Sequence, residues 1–182
     1  MTFSWKCYLV LLSLILSVHD SWALGCSQTN AVSAATRFFS ALDRGHIFSV
    51  PSRKQLPKIR HFVTPALYSQ LQQASQAEEH EFARTKGKEP PIYEGSLFSS
   101  LAERYTSYIV ATPTTTSLTI DTVAVKFQCI GNTPTTSTPY IWTDFVSVQT
   151  VSGKCLVSDM TFDSERPPTK LLSKTFKEIS GG

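Results

Sequence analysis

Residues 140–162 read YIWTDFVSVQTVSGKCLVSDMTF and predict a β-hairpin. Two runs rich in β-branched and aromatic residues flank the pair Ser152-Gly153, which is typical of a two-residue turn. In such a turn Val151 pairs with Lys154, and the register of every other cross-strand pair follows from that one. The hairpin therefore indicates an antiparallel sheet at the C-terminal side of the chain.

Each run of the hairpin carries an aspartate among apolar neighbours, Asp144 in the first and Asp159 in the second. With a two-residue turn, the two aspartates are diagonal neighbours on one face, about 7–8 Å apart between Cα atoms. A three-residue turn would slip the register and place them on opposite faces. The residues expected to line a pocket on this face are Trp142, Asp144, Val146, Val157 and Asp159, together with Tyr105 and Tyr108 of an earlier strand.

Two carboxylates on an apolar face have two interpretations. In the first, burial raises or splits the carboxyl pKa values, and one aspartate abstracts a proton while a tyrosine hydroxyl polarises a carbonyl. In the second, each aspartate is structural and either caps a neighbouring element or forms an ion pair. The candidate tyrosines are Tyr105, Tyr108 and Tyr140, and the candidate cationic partners are Arg84, Arg104 and Lys126.

No motif adds a metal ion, a cofactor or a nucleophile to this face. Residues 78–81 (EEHE) lie at adjacent helical positions that point in different directions, whereas a metal-binding helix needs two histidines four residues apart. The chain also has no phosphate-binding glycine loop, no Gly-x-Ser-x-Gly elbow and no Cys-x-x-Cys pair. We therefore expect no cofactor, and the aspartates are the only catalytic candidates.

The first 23 residues have the pattern of a secretory signal peptide. Lys6 precedes an apolar run at 8–18, which is too short to span a bilayer, and the small-x-small site 21–23 follows it. Residues 24–182 then form a single secreted or periplasmic domain. The stretch 23–26 (ALGC) also resembles a lipoprotein signal, in which case Cys26 is acylated and anchors the protein to a membrane.

The net charge of +3 is too small to indicate nucleic acid as a partner. A basic run at 53–60 contains two arginines and two lysines, but no aromatic residues interleave with it for stacking on bases. The run is therefore interpreted as a solvated helix face. The expected partner is a small ligand or an envelope protein.

The chain has four cysteines, and Cys7 leaves with the signal peptide. Cys129 and Cys155 lie near opposite ends of the predicted sheet, farther apart than the roughly 7 Å between Cα atoms that a disulfide allows. Cys26 can pair with Cys129 or with Cys155, and both pairings stay open. One thiol must be left over within the mature chain.

The remaining periodicity predicts helices first and strands afterwards. The predicted helices span 30–44, 65–84 and 169–179, with a further short helix within 53–62. Thr64 is the predicted N-cap of the helix at 65–84, and Pro65 takes its first position. The predicted strands span 93–99, 105–111, 117–130, 140–151 and 154–162. This order is typical of an α+β fold in which N-terminal helices cover one face of a curved, cone-like antiparallel sheet and a short helix ends the chain.

Three motifs accompany this order of elements, at 90–100 (PPIYEGSLFSS), 142–144 (WTD) and 153–159 (GKCLVSD). With them the chain resembles the nuclear transport factor 2-like superfamily, and within it a bacterial envelope family of unknown function that includes small periplasmic proteins and lipoproteins. Two residues depart from the pattern: Ser96 stands where an acid is expected, and Cys155 where a tryptophan is expected. The resemblance implies a cone with a pocket and an envelope location, and it implies no catalytic residue.

Three functions follow from these observations. The first is a secreted or periplasmic binding module that uses the cone pocket without catalysis. The second is an isomerase or dehydratase of the acid–base type that uses Asp144 or Asp159. The third is an immunity or inhibitor protein of the envelope, which would use the loop at 131–139 as its contact surface.

Overall fold

A computed structural model describes residues 25–89, 91–100, 104–112, 122–129, 139–162 and 170–180. The predicted signal peptide and residues 131–138 of the predicted contact loop lie outside these residues. Within them, no helix combines the length and the apolar character that crossing a membrane requires.

Helix α1 spans Gln28–Gly45. The side chain of Ser27 caps its first turn by accepting a hydrogen bond from the backbone N–H of Asn30 at 3.3 Å. His46 is the C-cap of the helix and adopts the left-handed conformation with φ 52°. Its backbone N–H donates to carbonyl groups of the last turn. One apolar stripe of the helix is buried, and its members are Ala31, Ala34, Ala35, Phe38, Phe39 and Leu42; Ala41 is buried as well.

A short helix α2 at Leu56–Ile59 leads to α3 at Pro65–Thr85. The hydroxyl of Thr64 accepts from the backbone N–H of Leu67 at 3.3 Å, and proline occupies the first helical position, where its missing N–H costs nothing. Both features agree with the prediction from the sequence. Helix α4 spans Leu172–Ser180.

In the part of the chain that the structure describes, five antiparallel strands form one sheet in sequence order. Their bounds are Ser107–Ala111 for β1, Thr122–Cys129 for β2, Tyr140–Val151 for β3, Lys154–Phe162 for β4 and Lys170–Leu171 for β5. The predicted α+β class, with helices preceding the sheet and a short helix ending the chain, is confirmed. Strand β5 occupies the first residues of the segment predicted as the last helix.

The strand predicted at 93–99 is wrong, because this segment forms a loop of turns and bends. A strand would place neighbouring residues on opposite faces, yet Leu97 and Phe98 are both buried. The backbone N–H of Leu97 donates to the carbonyl of Phe48 at 2.7 Å, which attaches the loop to the segment after α1. The apolar residues here are therefore core residues of a loop.

Helix α1 lies across the sheet and contacts β1, β2, β3 and β4. Helix α3 packs against β4 and α4, and α4 also contacts β4 and β5. Aromatic rings fill the space between α1 and the sheet: Phe39 lies 5.5 Å from Phe127 and 5.2 Å from Tyr108, measured between ring centroids. The interior that would form the predicted pocket is thus occupied by packed side chains.

Candidate functional site

The hairpin turn has the predicted two residues, and Val151 pairs with Lys154. The register shifts farther along, between Ser147 and Val148. Val148 pairs with Val157, whereas Ser147 pairs with Asp159, so β4 holds an extra residue, Ser158, in a β-bulge. The turn prediction is confirmed, and the register predicted beyond it is wrong.

The bulge separates the two aspartates, which we predicted as diagonal neighbours. Asp144 shares the inner face of β3 with Trp142 and Val146, all of them buried. Asp159 pairs with Ser147, whose side chain points to the other face, because alternate residues of β3 face opposite ways. A single inserted residue moves the side chain of every residue beyond it to the opposite face of the sheet. Asp144 and Asp159 therefore do not form the predicted two-carboxylate site.

Asp144 and Trp142 hold the loop at 91–100 onto the sheet. The carboxylate of Asp144 is 0 % exposed, and its Oδ2 accepts a hydrogen bond from the backbone N–H of Ser100 at 2.8 Å. The indole N–H of Trp142 donates to the Oγ of Ser99 at 3.0 Å. Because a buried charge must be compensated by hydrogen bonds, this arrangement gives Asp144 a structural role.

Asp159 caps helix α4. Its Oδ1 accepts from the backbone N–H of Ser173, in the first turn of that helix, at 3.1 Å, and from the N–H of Met160 at 2.8 Å. A carboxylate at this position satisfies an N–H group that has no partner within the helix and interacts favourably with the helix dipole. This is the capping alternative that the sequence left open.

The candidate tyrosines lie apart from both carboxylates. The hydroxyl of Tyr105 donates to Asp43 of α1 at 3.0 Å, and burial together with that carboxylate raises the pKa of the Tyr105 phenol above its ordinary value. Tyr108 lies within hydrogen-bond distance of the Ser40 hydroxyl, at 3.4 Å. Tyr140 is exposed near the start of β3. Neither of these two hydroxyl contacts is made with Asp144 or Asp159.

The candidate cationic partners also have other roles. Arg84 binds Glu81 and Glu89 near the end of α3, and the guanidinium of Arg104 lies 3.7 Å above the ring of Phe48. The side chain of Lys126 is exposed. Among the described residues, no group of three or more His, Cys, Asp or Glu side chains is placed to hold a metal ion.

Cys26 and Cys155 form a disulfide, with 5.8 Å between their Cα atoms and 129 residues between them in sequence. Cys155 is thus the partner among the two that the sequence left open, and Cys129 is a half-buried free thiol. The bond joins the segment just before α1 to the start of β4. It therefore holds two distant parts of the chain side by side.

A groove of about 480 Å³ lies beside this disulfide. One wall is a single face of α1, since its four lining residues recur at helical spacing. The other wall is the tip of the hairpin, and residues 61–62 close one end. The lining residues are Asn30, Ser33, Ala34, Arg37, His61, Phe62, Gly153, Lys154, Cys155 and Leu156.

The segment before α3 is fixed against the hairpin by its backbone. Val157 donates its N–H to the carbonyl of Phe62 at 3.0 Å, and its carbonyl accepts from the N–H of Thr64 at 2.8 Å. These bonds make a parallel bridge between Val63 and Val157. The bridge places His61 and Phe62 at the groove, next to the hairpin tip.

A second groove of about 260 Å³ continues the first, because both are lined by His61, Lys154 and Leu156. It adds four residues: Arg60, Val63, Pro65 and Tyr68. We call the two together the disulfide groove. The described residues that line it include two arginines and a lysine and no aspartate or glutamate, so the net charge of this lining is positive.

None of the seven predicted pocket residues lines the disulfide groove. Val146 and Val157 are fully buried in the core, and Tyr105 and Trp142 are almost completely buried. One feature of the sequence indicates part of the groove: positions 30, 33, 34 and 37 repeat at helical spacing along one edge of the buried stripe of α1. The opposite wall is the hairpin tip, which is distant in sequence, so helical spacing alone does not predict the groove.

Comparison with known proteins identifies no relative of this chain. No family model, no curated protein and no solved structure matches it. The resemblance to the nuclear transport factor 2-like superfamily therefore stays a prediction. The functional assignment depends on the geometry of this chain's own side chains.

Proposed function

We propose that this protein is a non-catalytic binding module of a secretory or periplasmic compartment, and that it takes its ligand in the disulfide groove. The observation that carries this proposal is the groove itself. It is concave, its walls come from two elements held together by a disulfide, and polar side chains line it beside apolar ones. A site of this kind orients a ligand without needing a reactive group.

The contacts of the candidate acid–base residues favour a binding function over a catalytic one. Both aspartates accept hydrogen bonds from backbone N–H groups that stabilise the fold, and they belong to different sheet faces. The hydroxyl of Tyr105 is engaged with Asp43 and its pKa is raised, so the phenol is a poor proton donor at neutral pH. An acid–base enzyme would need these groups to converge on one point.

The disulfide supports the compartment in this proposal. Disulfides persist in oxidising compartments such as the periplasm and the extracellular space, which agrees with the predicted signal peptide. In a lipoprotein, the acyl glycerol would be attached to the sulfur of Cys26 through a thioether bond. A sulfur that forms a disulfide cannot also form that thioether. The bond thus favours the cleaved, unacylated form of the protein.

The proposal is tested by mapping ligands and turnover in one experiment. The purified mature protein is titrated with a panel of small organic molecules of varied charge while backbone amide NMR shifts are recorded. The expected result is that shift changes cluster on the groove residues, while the molecules are recovered unaltered. Shift changes confined to other surfaces, or chemical conversion of a panel molecule by the protein, would overturn the proposal.

A further inference from the structure

We infer that the ligand of the disulfide groove is an amphipathic organic anion: a carboxylate, sulfonate or phosphate monoester carried on an apolar body. This inference rests on the proposed function, because it names the chemical class that the proposed groove binds. Its anionic group would lie at the end where α1 meets the hairpin tip, and its body would extend towards residues 63–68.

The end at α1 has the chemistry of an anion site. Arg37 projects from α1 and Lys154 from the hairpin tip, so cations from two separate elements line the same groove. In the described part of the chain, no carboxylate forms a salt bridge with either side chain. The amide of Asn30 and the hydroxyl of Ser33 add hydrogen-bond donors on the same wall.

Arginine and lysine recognise anions in complementary ways. The guanidinium of Arg37 offers a planar fork that matches a carboxylate or phosphate, whereas the ammonium of Lys154 acts as a point charge. Two exposed arginines outside the groove have acidic partners: Arg53 binds Glu79, and Arg84 binds Glu81. By contrast, no aspartate or glutamate is among the described residues that line the cavity beside Arg37 and Lys154.

The other end of the groove has an apolar wall beside the side chains of Arg60, His61 and Lys154. Val63, Pro65 and Leu156 line it, together with the ring of Tyr68. The guanidinium of Arg60 lies 5.7 Å from the centroid of the Tyr68 ring and forms a cation–π contact with it. An inorganic ion would leave this part of the groove unfilled, whereas an apolar body attached to the anion would occupy it.

The size of the groove agrees with a small molecule. The part beside α1 measures about 480 Å³, which is within the range of about 300–1,000 Å³ that is typical of ligand pockets, and the second part adds about 260 Å³. A cationic ligand would be repelled by Arg37, Arg60 and Lys154, since like charges at close range are unfavourable. An amphipathic anion satisfies both the charge and the apolar end.

A pair of fluorescent dyes separates the contribution of the charge from that of the apolar body. The probes are 8-anilinonaphthalene-1-sulfonate and N-phenyl-1-naphthylamine, which share their ring system and differ in the sulfonate. Each is titrated against the folded protein and against the double variant Arg37→Gln/Lys154→Gln. Lys54→Gln is the matched control, because it removes an exposed charge outside the groove. Circular dichroism and a thermal melt verify that each variant folds.

We expect the sulfonate to bind the wild-type protein at least about tenfold more tightly than the neutral dye, with an affinity that falls as salt is added. The double variant should weaken sulfonate binding by roughly tenfold, since it removes two charge-assisted contacts, and leave the neutral dye unchanged. Lys54→Gln should change neither.

Equal affinity for the two dyes, or no effect of the double variant on the sulfonate, would overturn the anion inference. If the NMR shifts caused by either dye still cluster at the groove in that case, the proposed function survives without it. If neither dye perturbs the groove, the anion inference fails, and the panel of molecules described above tests the proposed function separately.

Discussion

Asp144 and Ser100 are joined by a hydrogen bond of 2.8 Å from the serine backbone N–H to a carboxylate that is fully buried. Two residues before Asp144 on the same strand face, Trp142 bonds Ser99 at 3.0 Å. Consecutive inward residues of β3 thus hold consecutive residues of the loop. The motif at 142–144 and the end of the motif at 90–100 are two halves of one contact.

This contact predicts that Asp144 matters for stability. Asp144→Ala should lower the free energy of unfolding by about 1.5–3 kcal/mol, because the partly buried N–H of Ser100 loses its carboxyl acceptor. Urea denaturation measures the change. Glu94→Gln is the control, since it alters an exposed acid near the same loop and should shift the stability by less than about 0.5 kcal/mol. An unchanged midpoint for Asp144→Ala would contradict the structural role.

The second half of the contact predicts energetic coupling between Trp142 and Ser99. Trp142→Phe keeps a ring that can stack on Phe127, whose centroid is 5.4 Å away, but it removes the indole N–H. A double-mutant cycle with Ser99→Ala should give a coupling energy of about 0.5–1.5 kcal/mol in urea denaturation. Additive effects of the two substitutions would show that this hydrogen bond contributes nothing to stability.

The disulfide predicts a large loss of stability on its removal. Cys155→Ser should lower the free energy of unfolding by about 2–5 kcal/mol, because the bond closes a long loop and restricts the unfolded chain. Adding a reductant should destabilise the wild-type protein and leave this variant unaffected. Cys129→Ser is the matched control, since Cys129 is a free thiol.

Intact mass tests the same pairing without a variant. The mature protein, treated with an alkylating reagent before reduction, should take up one label, at Cys129. After reduction and unfolding it should take up three. An acyl glycerol on Cys26, or a label on Cys155 before reduction, would contradict the Cys26–Cys155 bond.

Tyr105 predicts a loss of stability at alkaline pH. Its pKa is raised in the folded state by burial and by Asp43, so above pH about 10 the unfolded chain releases a proton that the folded protein retains. The stabilisation from this group is therefore complete below pH about 10 and declines as the pH rises further.

Tyr105→Phe should make the stability less dependent on pH in that alkaline range, while costing about 1 kcal/mol at neutral pH through the lost hydrogen bond to Asp43. Urea denaturation at several pH values measures both effects. A titration of tyrosinate absorbance adds a second readout: the folded variant should ionise the same number of tyrosines as the folded wild type up to the onset of unfolding.

The bulge at Ser158 could in part have been foreseen. Two consecutive polar residues separate Val157 from Met160, whereas strict alternation would allow one, and both apolar residues are buried. This interruption of the period indicates an extra residue in the strand. A register counted from the turn alone assumes a regular strand, and it therefore predicts both aspartates on one face of the sheet.

The sequence by itself determined the elements whose causes are local. The turn at 152–153, the bounds of β3 and β4, and the N-cap of α3 follow from residues within a few positions of one another, because turn geometry and helix caps are short-range hydrogen-bond patterns. The α+β class followed from the order of those elements.

Only the tertiary structure decided which residues meet across the chain. Cys26 meets Cys155 because α1 lies across the end of the hairpin, and the same placement makes Arg37 and Lys154 line one groove. Such contacts depend on how whole elements pack, which a local period does not encode. The hairpin therefore marked the fold correctly, while the binding surface formed at its tip and not on the face that carries Asp144.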